Sequence, residues 1–479
     1  MHKFGSFNSI SSVGMHHHGS LALGVIPGTE LISLVILVIF RHNYAMKNMS
    51  YYQSKLSMTV RNTLLLVIAT SMLLGCSGKS EELTVPSAND GTSESQNLPW
   101  WRRAAMDAFM RYSVWSGSRS GFVTMIAHEG ELIYSNAVGW ANIEANIPMQ
   151  LDTKMRFASM TKPVTAVAAM LLIEEGKLGL DDPVSKYIPE FASARVAVNE
   201  NRNISDNFDT AQLENPILVR HLLLFSSGVG PGYSAPSDLM THWELNGIRS
   251  KKSGNLAERV SSLARLPLFE EPGTRWRYGS SADVLARVIE VVSEESYDQF
   301  LKGRIFEPLG MTSTRFRHSV ASQNELAEVY TQTKDGDLAV APKSIDVDWN
   351  QGGSGLVSTA GDYMRFALML WNKGQYQGVR ILSEETVSEM TRPHLPGGVF
   401  AYRGVEGLGW GLGMSVKTGK GGRLPGHDGD IGWGGYYGTT FFISPKTGLV
   451  GIVLSQNELS EFSDGYQTDI YVVQGLAIP

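Results

Sequence analysis

The chain has 479 residues, of which 43% are hydrophobic and 18% are charged, with 50 Gly, 19 Pro and a single Cys. This composition excludes collagen-like, fully disordered and disulfide-rich proteins, and one cysteine forms neither an internal disulfide nor a Cys-based zinc site. Residues 1–75 carry five Lys or Arg against one acid, within a formal charge of −6, so the rest of the chain is acidic, which argues against nucleic acid as a partner.

The segment that ends at Cys76 has the organisation of a secretory signal. Arg61 precedes an apolar run over 64–69, which is too short for a permanent membrane span. The ending Leu73-Leu74-Gly75-Cys76 resembles the lipobox of bacterial lipoproteins, in which the cysteine is lipidated and becomes the first residue. We therefore expect residues 1–75 to be removed and the mature protein to be periplasmic and lipid-anchored in the outer membrane. The alternative is that Cys76 is an ordinary small hydrophobic residue.

The next segment, 76–98, is rich in Ser, Thr, Glu, Asn and Gly and is predicted to be a flexible tether. The folded body is expected over 99–479. It is predicted to begin with a helix and a hairpin and to end with two strands and a helix, the strands being 121–127, 131–139, 439–444 and 449–455, and the final helix 461–476. Further helices are predicted over 163–175, 282–292 and 360–373. This order indicates an α+β fold, with one antiparallel sheet from both chain ends (99–180 and 405–479) and a mostly helical region (181–404) inserted between them.

Ser159 and Lys162 lie three residues apart, where an almost wholly apolar helix begins. Side chains at i and i+3 share a helix face. A lysine near a helix N-terminus, partly removed from water, is pushed toward its neutral form and can take a proton from a serine hydroxyl. The alternative is a serine that caps a helix beside a surface lysine.

A longer series of motifs runs along the chain over about residues 100–457. They are Ser159-Met160-Thr161-Lys162, Gly176-Lys177-Leu178, Leu180-Asp181-Asp182-Pro183-Val184, Arg220-His221-Leu222-Leu223, Tyr278-Gly279-Ser280, Phe306-Glu307-Pro308-Leu309-Gly310-Met311, Gly352-Gly353-Ser354-Gly355-Leu356 and Gly432-Trp433-Gly434-Gly435. In these motifs and in their order the chain resembles the serine β-lactamase and penicillin-binding-protein superfamily, and most of all its family VIII carboxylesterases. The resemblance implies the β-lactamase/transpeptidase-like fold over 99–479.

The resemblance also implies roles for individual residues. Ser159 would be the acylated nucleophile and Lys162 its proton acceptor. Tyr278 would share the role of base and then protonate the leaving group, which requires that the Lys162 ammonium lower the pKa of the phenol. The oxyanion hole would be formed by the backbone N–H groups of Ser159 and Tyr436. Ser280 would contact substrate at the position where β-lactamases usually have Asn. The alternative for Tyr278, taken alone, is an ordinary packed aromatic residue.

The third family motif separates esterases from β-lactamases. The triplets Lys417-Thr418-Gly419 and Lys446-Thr447-Gly448 match the β-lactamase motif, but we interpret both as decoys, because one lies in a connection and the other in a turn. The family position falls instead on Trp433-Gly434-Gly435, which resembles the esterase form and is expected to contact substrate. Trp433 would replace a cation by an apolar wall, unless it is simple core packing. His427 is interpreted as part of a loop.

The sequence therefore predicts a secreted serine carboxylesterase that hydrolyses short-chain carboxylic esters through an acyl-enzyme. No cofactor and no metal are expected, and neither a G-x-S-x-G elbow nor an H-E-x-x-H motif is present. The partners expected are a small-molecule ester and, through the lipid anchor only, a membrane. The alternatives are a β-lactamase or D-alanyl-D-alanine peptidase, and a non-catalytic module that keeps the penicillin-binding fold.

Overall fold

The computed structural model describes residues 87–88, 98–200, 203–204, 207–232, 237–248, 254–320, 325–342, 347–395, 406–419, 426–458, 473 and 476. All of them belong to the compact unit Ser80–Pro479. The expected leader, Cys76 and the final helix, apart from positions 473 and 476, lie outside the described residues. Within the described part of the chain, no helix combines the length and the apolar character that a bilayer span requires.

The strands are numbered in chain order. They are β1 (Ser87–Ala88), β2 (Gly121–His128), β3 (Glu131–Asn142), β4 (Ile147–Pro148), β5 (Met155–Arg156), β6 (Arg195–Ala197), β7 (Asn203–Ile204), β8 (Asn207–Phe208), β9 (Thr210–Gln212), β10 (Arg315–Phe316), β11 (Tyr330–Gln332), β12 (Leu338–Val340), β13 (Leu356–Ser358), β14 (Gln375–Tyr376), β15 (Val379–Arg380), β16 (Leu408–Trp410), β17 (Ser415–Lys417), β18 (Ile431–Gly435), β19 (Thr439–Ser444) and β20 (Leu449–Leu454).

The α-helices are numbered in the same way. They are α1 (Trp100–Trp115), α2 (Thr161–Glu174), α3 (Val219–Leu223), α4 (Asp238–Trp243), α5 (Leu256–Leu263), α6 (Ser281–Ser293), α7 (Tyr297–Leu301), α8 (Ala360–Trp371) and α9 (Glu384–Thr391). The first helix, the helix after Ser159 and the helices predicted over 282–292 and 360–373 are all present, with ends shifted by one or two residues.

Strands from both ends of the chain form the main sheet, in the order β1-β3-β2-β20-β19-β18-β17-β16, with β4 paired to β3. The two chain ends meet where β2 pairs antiparallel with β20, from Val123 opposite Leu454 to His128 opposite Leu449. The α+β fold with a sheet built from both ends is therefore confirmed. β1 lies within the expected tether and pairs with β3 at the edge of this sheet.

Both faces of the sheet are buried, as alternate residues of β19 show. Phe441 points to the larger core, where its ring contacts that of Tyr363 in α8 at 5.3 Å between centroids. Phe442 points to the opposite face and packs in a second cluster with Met106 and Met110 of α1. Successive side chains of a strand alternate between faces, and all six residues of β19 are buried because this strand has no solvent-facing side.

The helix α2 runs through the larger core, since it is apolar around its whole circumference. Pro163 is its third residue, where a missing N–H costs no helical hydrogen bond. The helix is terminated just before Gly176, whose φ of +70° favours glycine and whose N–H donates to Ile173 O at 3.0 Å.

The region between 181 and 404 contains strands that the sequence analysis did not predict. Among the described residues these form the pairs β6-β9, β7-β8, β11-β12 and β14-β15, while β10 and β13 join β5, which precedes this region, in a three-stranded sheet of order β10-β13-β5. Most of these strands have two or three residues, which is too short for an alternating pattern to stand out. α8 lies in the same stretch of chain but packs on β2, β19 and β20 of the main sheet.

Candidate active site

Ser159 lies in a short 3₁₀ turn, Ala158–Met160, directly before α2. Ala158 has a φ of +45°, in the left-handed region that a residue with a side chain rarely adopts, so the turn is strained. Two hydrogen bonds hold it, from Phe157 N to Leu356 O (2.9 Å) and from the Tyr363 hydroxyl to Met160 O (2.8 Å). Ser159 itself is only partly buried, so the strained turn presents its hydroxyl at the surface of the core.

Lys162 is buried beside this serine, with 6% of its surface exposed. Its Nζ lies 3.1 Å from Ser159 Oγ and donates a hydrogen bond of 2.7 Å to Gly353 O. Burial lowers the pKa of the Lys162 ammonium to about 7, against the opposing charge of Asp283. A substantial share of this lysine is therefore neutral near pH 7 and available as a base.

The Gly352-Gly353 segment connects this lysine to Asp283 of α6. Gly353 N donates to Asp283 Oδ1 at 2.9 Å, while the carbonyl of the same residue accepts from Lys162. Gly352 approaches α6 so closely that a Cβ there would lie 2.0 Å from Ala282 O. Sequence analysis found these glycines as a family motif but missed Asp283, which no local pattern marks.

Tyr278 completes the group. Its hydroxyl is hydrogen bonded to the side chain of Ser159, and Lys162 Nζ lies 4.4 Å from the centre of its ring. Burial raises the pKa of Tyr278 well above its ordinary value, although the hydrogen bonds from Ser159 and Trp433 oppose the rise. The expectation of a lowered phenol pKa is therefore wrong, because burial disfavours the phenolate and Lys162 is itself pushed toward its neutral form.

An aromatic cluster encloses one side of Tyr278. Phe225 stacks on it (5.3 Å between centroids, 16° between planes), and Trp433 lies against it at 5.6 Å and donates a long hydrogen bond of 3.4 Å to its hydroxyl. Trp410 is fully buried behind Trp433, edge-on at 4.6 Å, and donates to Leu223 O. Trp433 is thus both packed and partly exposed, so it forms an apolar wall next to Ser159 and Tyr278.

The strand β18 brings the third motif to the Ser159 turn. A Cβ at Gly435 would lie 2.2 Å from Phe157 O, so only glycine permits this approach. Thr439 Oγ1 donates to the same carbonyl at 3.1 Å. Gly434 lies on the same strand opposite Thr440 in β19. Tyr436 follows at once, with 43% of its surface exposed.

Ser280 is placed next to Tyr278 but is largely buried, with 9% of its surface exposed. Its N–H donates to Val229 O at 3.0 Å, directly before α6 begins. A Cβ at Gly230 would lie 3.3 Å from its Oγ, so this hydroxyl packs against the 229–230 backbone. A contact of Ser280 with substrate stays a prediction.

Of the two Lys-Thr-Gly triplets, the second lies in a turn as expected, whereas the first lies only partly in a connection because Lys417 belongs to a strand. Lys446 is in the turn between β19 and β20. Lys417 ends β17, and its Nζ contacts Gly426 O in the connection before β18. His427 N donates to Asp430 Oδ2 at 2.7 Å within that same connection. Among the described residues, no group of three or more His, Cys, Asp or Glu is arranged to hold a metal ion.

A cavity of about 570 Å³ lies in the described part of the chain and is lined by none of the site residues named above. Its lining has mixed charge, with Lys154, Arg156 and Arg317 facing Glu325 and Glu328. Lys154 and Glu325 form an ion pair of 2.9 Å. The serine, lysine and tyrosine are therefore separate from this charged cavity.

Comparison with known proteins identifies the family. The family model described as Beta-lactamase matches residues 103–474. This chain belongs to the β-lactamase family. The resemblance to serine β-lactamases, penicillin-binding proteins and their family VIII carboxylesterase relatives is thereby confirmed, and the protein is a serine hydrolase.

Relatives within the β-lactamase family include named esterases. Esterase EstB of Burkholderia gladioli is 27% identical over 387 residues, which cover 74% of this chain and 90% of that protein. Lovastatin esterase of Penicillium rubens is 27% identical over 401 residues, covering 76% and 98%. An uncharacterized protein of Mycobacterium tuberculosis is 34% identical over 355 residues, covering 71% and 87%.

Solved structures give the same fold. EstCE1, described as a hydrolase with promiscuous acyltransferase activity, has a TM-score of 0.64 and 26% identity, with 79% of this chain and 99% of that chain covered. Simvastatin synthase of Aspergillus terreus has a TM-score of 0.67 and 25% identity, with 79% and 98% covered. This β-lactamase-family chain therefore has the same fold as EstCE1 and simvastatin synthase over about four fifths of its length.

The glycine at 435 offers a direct test of the approach between β18 and the serine turn. We expect Gly435→Ala to lower kcat/KM for an ester about 100-fold, because the strand must move away from Phe157 and misplace the reacting groups. The measurement is steady-state kinetics together with thermal unfolding. Gly361→Ala is the matched control, since a Cβ there meets nothing within 4 Å, and it should keep the wild-type rate. Wild-type kinetics in Gly435→Ala would contradict the close approach.

Proposed function

We propose that this protein is a carboxylesterase that hydrolyses short-chain carboxylic esters through an acyl-enzyme on Ser159. The observation that carries the proposal is the contact of Ser159 Oγ with both a buried lysine of lowered pKa and a phenol, next to an apolar wall. EstB and lovastatin esterase are named esterases, which supports the choice of ester over other acyl compounds.

In the first half of the reaction, Ser159 Oγ forms a bond to the ester carbonyl carbon while its proton passes to neutral Lys162. The carbonyl oxygen becomes an oxyanion. When the intermediate collapses, the bond to the alcohol oxygen breaks and that oxygen takes a proton from Tyr278, which regains one from the Lys162 ammonium. Because burial keeps Tyr278 protonated, it begins as an acid, and Lys162 is the first base.

In the second half, water attacks the acyl carbon and its proton passes to the same pair. Ser159 leaves with a proton, and the carboxylic acid is released. The oxyanion of both halves would be stabilised by the N–H groups of Ser159 and Tyr436. The proximity of Gly435 to Phe157 supports this assignment, since it brings the backbone after β18 to the serine turn.

Trp433 supports preference for a neutral substrate. With Trp410 behind it and Tyr278 beside it, it offers an apolar surface where a β-lactamase has a cationic residue to pair with the substrate carboxylate. We further propose contacts of Ser280, Gly434 and Gly435 with substrate, because they flank Tyr278 and Trp433 along the chain.

We also propose that the protein is secreted, that its leader is removed before Cys76, and that lipidation of Cys76 anchors it to the outer membrane on the periplasmic side. The sequence around Cys76 supports this localisation. The catalytic proposal does not depend on it, since the named site residues lie between 159 and 436.

The identity of the nucleophile and base is tested by substitution. Ser159→Ala and Lys162→Met are each expected to lower kcat for a nitrophenyl ester by about a thousandfold or more. Only chains with Ser159 should form a fluorophosphonate adduct, located at that residue by mass spectrometry. Lys417→Met and Lys446→Met are matched controls within the two decoy triplets and should retain wild-type rates. Full activity in Ser159→Ala would overturn the mechanism.

The choice of substrate class is tested by assaying a short-chain nitrophenyl ester and a chromogenic cephalosporin in parallel. We expect the kcat/KM for the ester to exceed that for the cephalosporin by about 100-fold or more, since losing one charged partner of a β-lactam carboxylate costs about 2–3 kcal/mol. Dominant cephalosporin turnover would favour a β-lactamase. Turnover of neither, with no adduct on Ser159, would favour a non-catalytic module.

The pH profile tests which group is the base. Lys162 must be neutral to accept a proton, so kcat/KM should fall as the pH drops below about 7. Asp283 raises the pKa of Lys162, so Asp283→Asn, which keeps an acceptor for Gly353 N, should move this acidic limb to lower pH. Glu294→Gln, exposed at the end of α6, is the control and should leave the limb in place. A shift to higher pH would contradict the assignment.

A further inference from the structure

One face of α1 is aromatic and exposed. Trp100, Trp101, Tyr112 and Trp115 have 71%, 42%, 47% and 64% of their surfaces exposed. At 3.6 residues per turn these four side chains fall within an arc of about 120°. Four of the eleven large hydrophobic residues found exposed in the described part of the chain therefore share this one helix face, which we name the aromatic face.

The rest of α1 explains why these rings point outward. Met106 and Met110 are fully buried against the main sheet, and Asp107 accepts hydrogen bonds from the sheet residues Tyr134 and Asn136. Met106 and Met110 lie on the side away from the aromatic face and Asp107 lies beside that face, about 20° from Trp100 around the helix, so these contacts fix the helix with its rings outward. Surface patches of this kind are rare on monomeric proteins unless something covers them.

The residues between the rings fit a lipid surface. Within the arc of the aromatic face the helix has Ala104, Ala108 and Arg111, and no Asp or Glu. Trp and Tyr concentrate where a bilayer meets water, because their rings are apolar and their N–H or O–H groups remain hydrated. Basic residues beside them suit anionic headgroups.

The position of α1 in the chain points to the same occupant. The helix begins where the chain enters the body, and the strand Ser87–Ala88 ties the preceding segment to β3, on which α1 also packs. Ser87 lies eleven positions after Cys76, and covalent geometry limits the reach of that length of chain to about 40 Å. A lipid on Cys76 would hold the aromatic face close to the bilayer, where even a weak contact is populated.

We propose that the aromatic face of α1 docks on the surface of the phospholipid bilayer to which the anchor at Cys76 attaches the chain. This inference rests on the proposed localisation and is independent of the esterase chemistry. Docking would give the body a fixed orientation relative to the membrane.

Tryptophan emission of the full chain tests the proposal, using vesicles of phosphatidylethanolamine and phosphatidylglycerol with and without brominated phospholipid. All ten tryptophans lie at or after residue 100, so the leader contributes no signal. Three of them lie on the aromatic face, so brominated lipid should remove up to roughly three tenths of the emission. The double variant Ala104→Glu/Ala108→Glu keeps every ring but adds charge to the face, and this quenching should disappear. Leu245→Glu, at a site 66% exposed elsewhere, should quench like the wild type.

The outcomes separate the proposals from one another. Absent quenching, or equal quenching in the wild type and the double variant, overturns docking. A dimer in sedimentation that the double variant breaks, without quenching, overturns it in favour of self-association. The anchor alone is tested by whether Cys76→Ser removes the protein from the membrane fraction, and by the mass of the wild-type protein in that fraction. Hydrolysis of a soluble ester should be the same in the double variant and the wild type, so failure of the esterase proposal appears only in that assay.

Discussion

The burial of one lysine beside Ser159 is the constraint on which the rest of the site depends. An amine this far from water is costly to charge, so its surroundings must position the amine while leaving both its neutral and its protonated form accessible. The Gly353 carbonyl accepts one hydrogen bond from Lys162, and Asp283, which accepts from the N–H of Gly353, favours the protonated amine by its charge. The result is an amine that is neutral often enough to act as a base and stays within reach of the serine hydroxyl.

The architecture serves this constraint by bringing distant segments onto α2. The helix is apolar on all sides and has to occupy the centre, which places its first turn, with Lys162, and the preceding 3₁₀ turn, with Ser159, at the boundary between the sheet and the helical region. Close approaches of backbone then complete the site. Gly352 admits the loop that touches α6, and Gly435 admits β18 to the serine turn. A side chain at either position would separate elements whose contact the chemistry needs.

Much of this could be predicted from the sequence, and the failures have physical causes. The strand 439–444 and the helix after Ser159 could be predicted from their apolar residues. The place of Trp433 at the site could be predicted from its distance to β19 along the chain. Asp283 was missed because its charge acts on Lys162 only in the folded protein, since the two residues are 121 positions apart along the chain. The strain at Ala158 was missed because alanine carries no preference for a positive φ. The pKa of Tyr278 was predicted to shift in the wrong direction, because the sequence argument considered a neighbouring charge without the burial that outweighs it.

That error changes the description of the resting site. Burial lowers the pKa of Lys162 and raises that of Tyr278, so both shifts favour the uncharged form of each group. An amine and a phenol that are both neutral cost less to bury than an ammonium and a phenolate, and neither demands a charged partner from the substrate. The aromatic rings of Trp433 and Phe225 are compatible with such a pair, whereas a cation at 433 would lower the pKa of Lys162 further. If Lys162 and Tyr278 transfer protons as proposed, an uncharged pair and an apolar wall are thus one solution to the same electrostatic problem, and both favour a neutral ester.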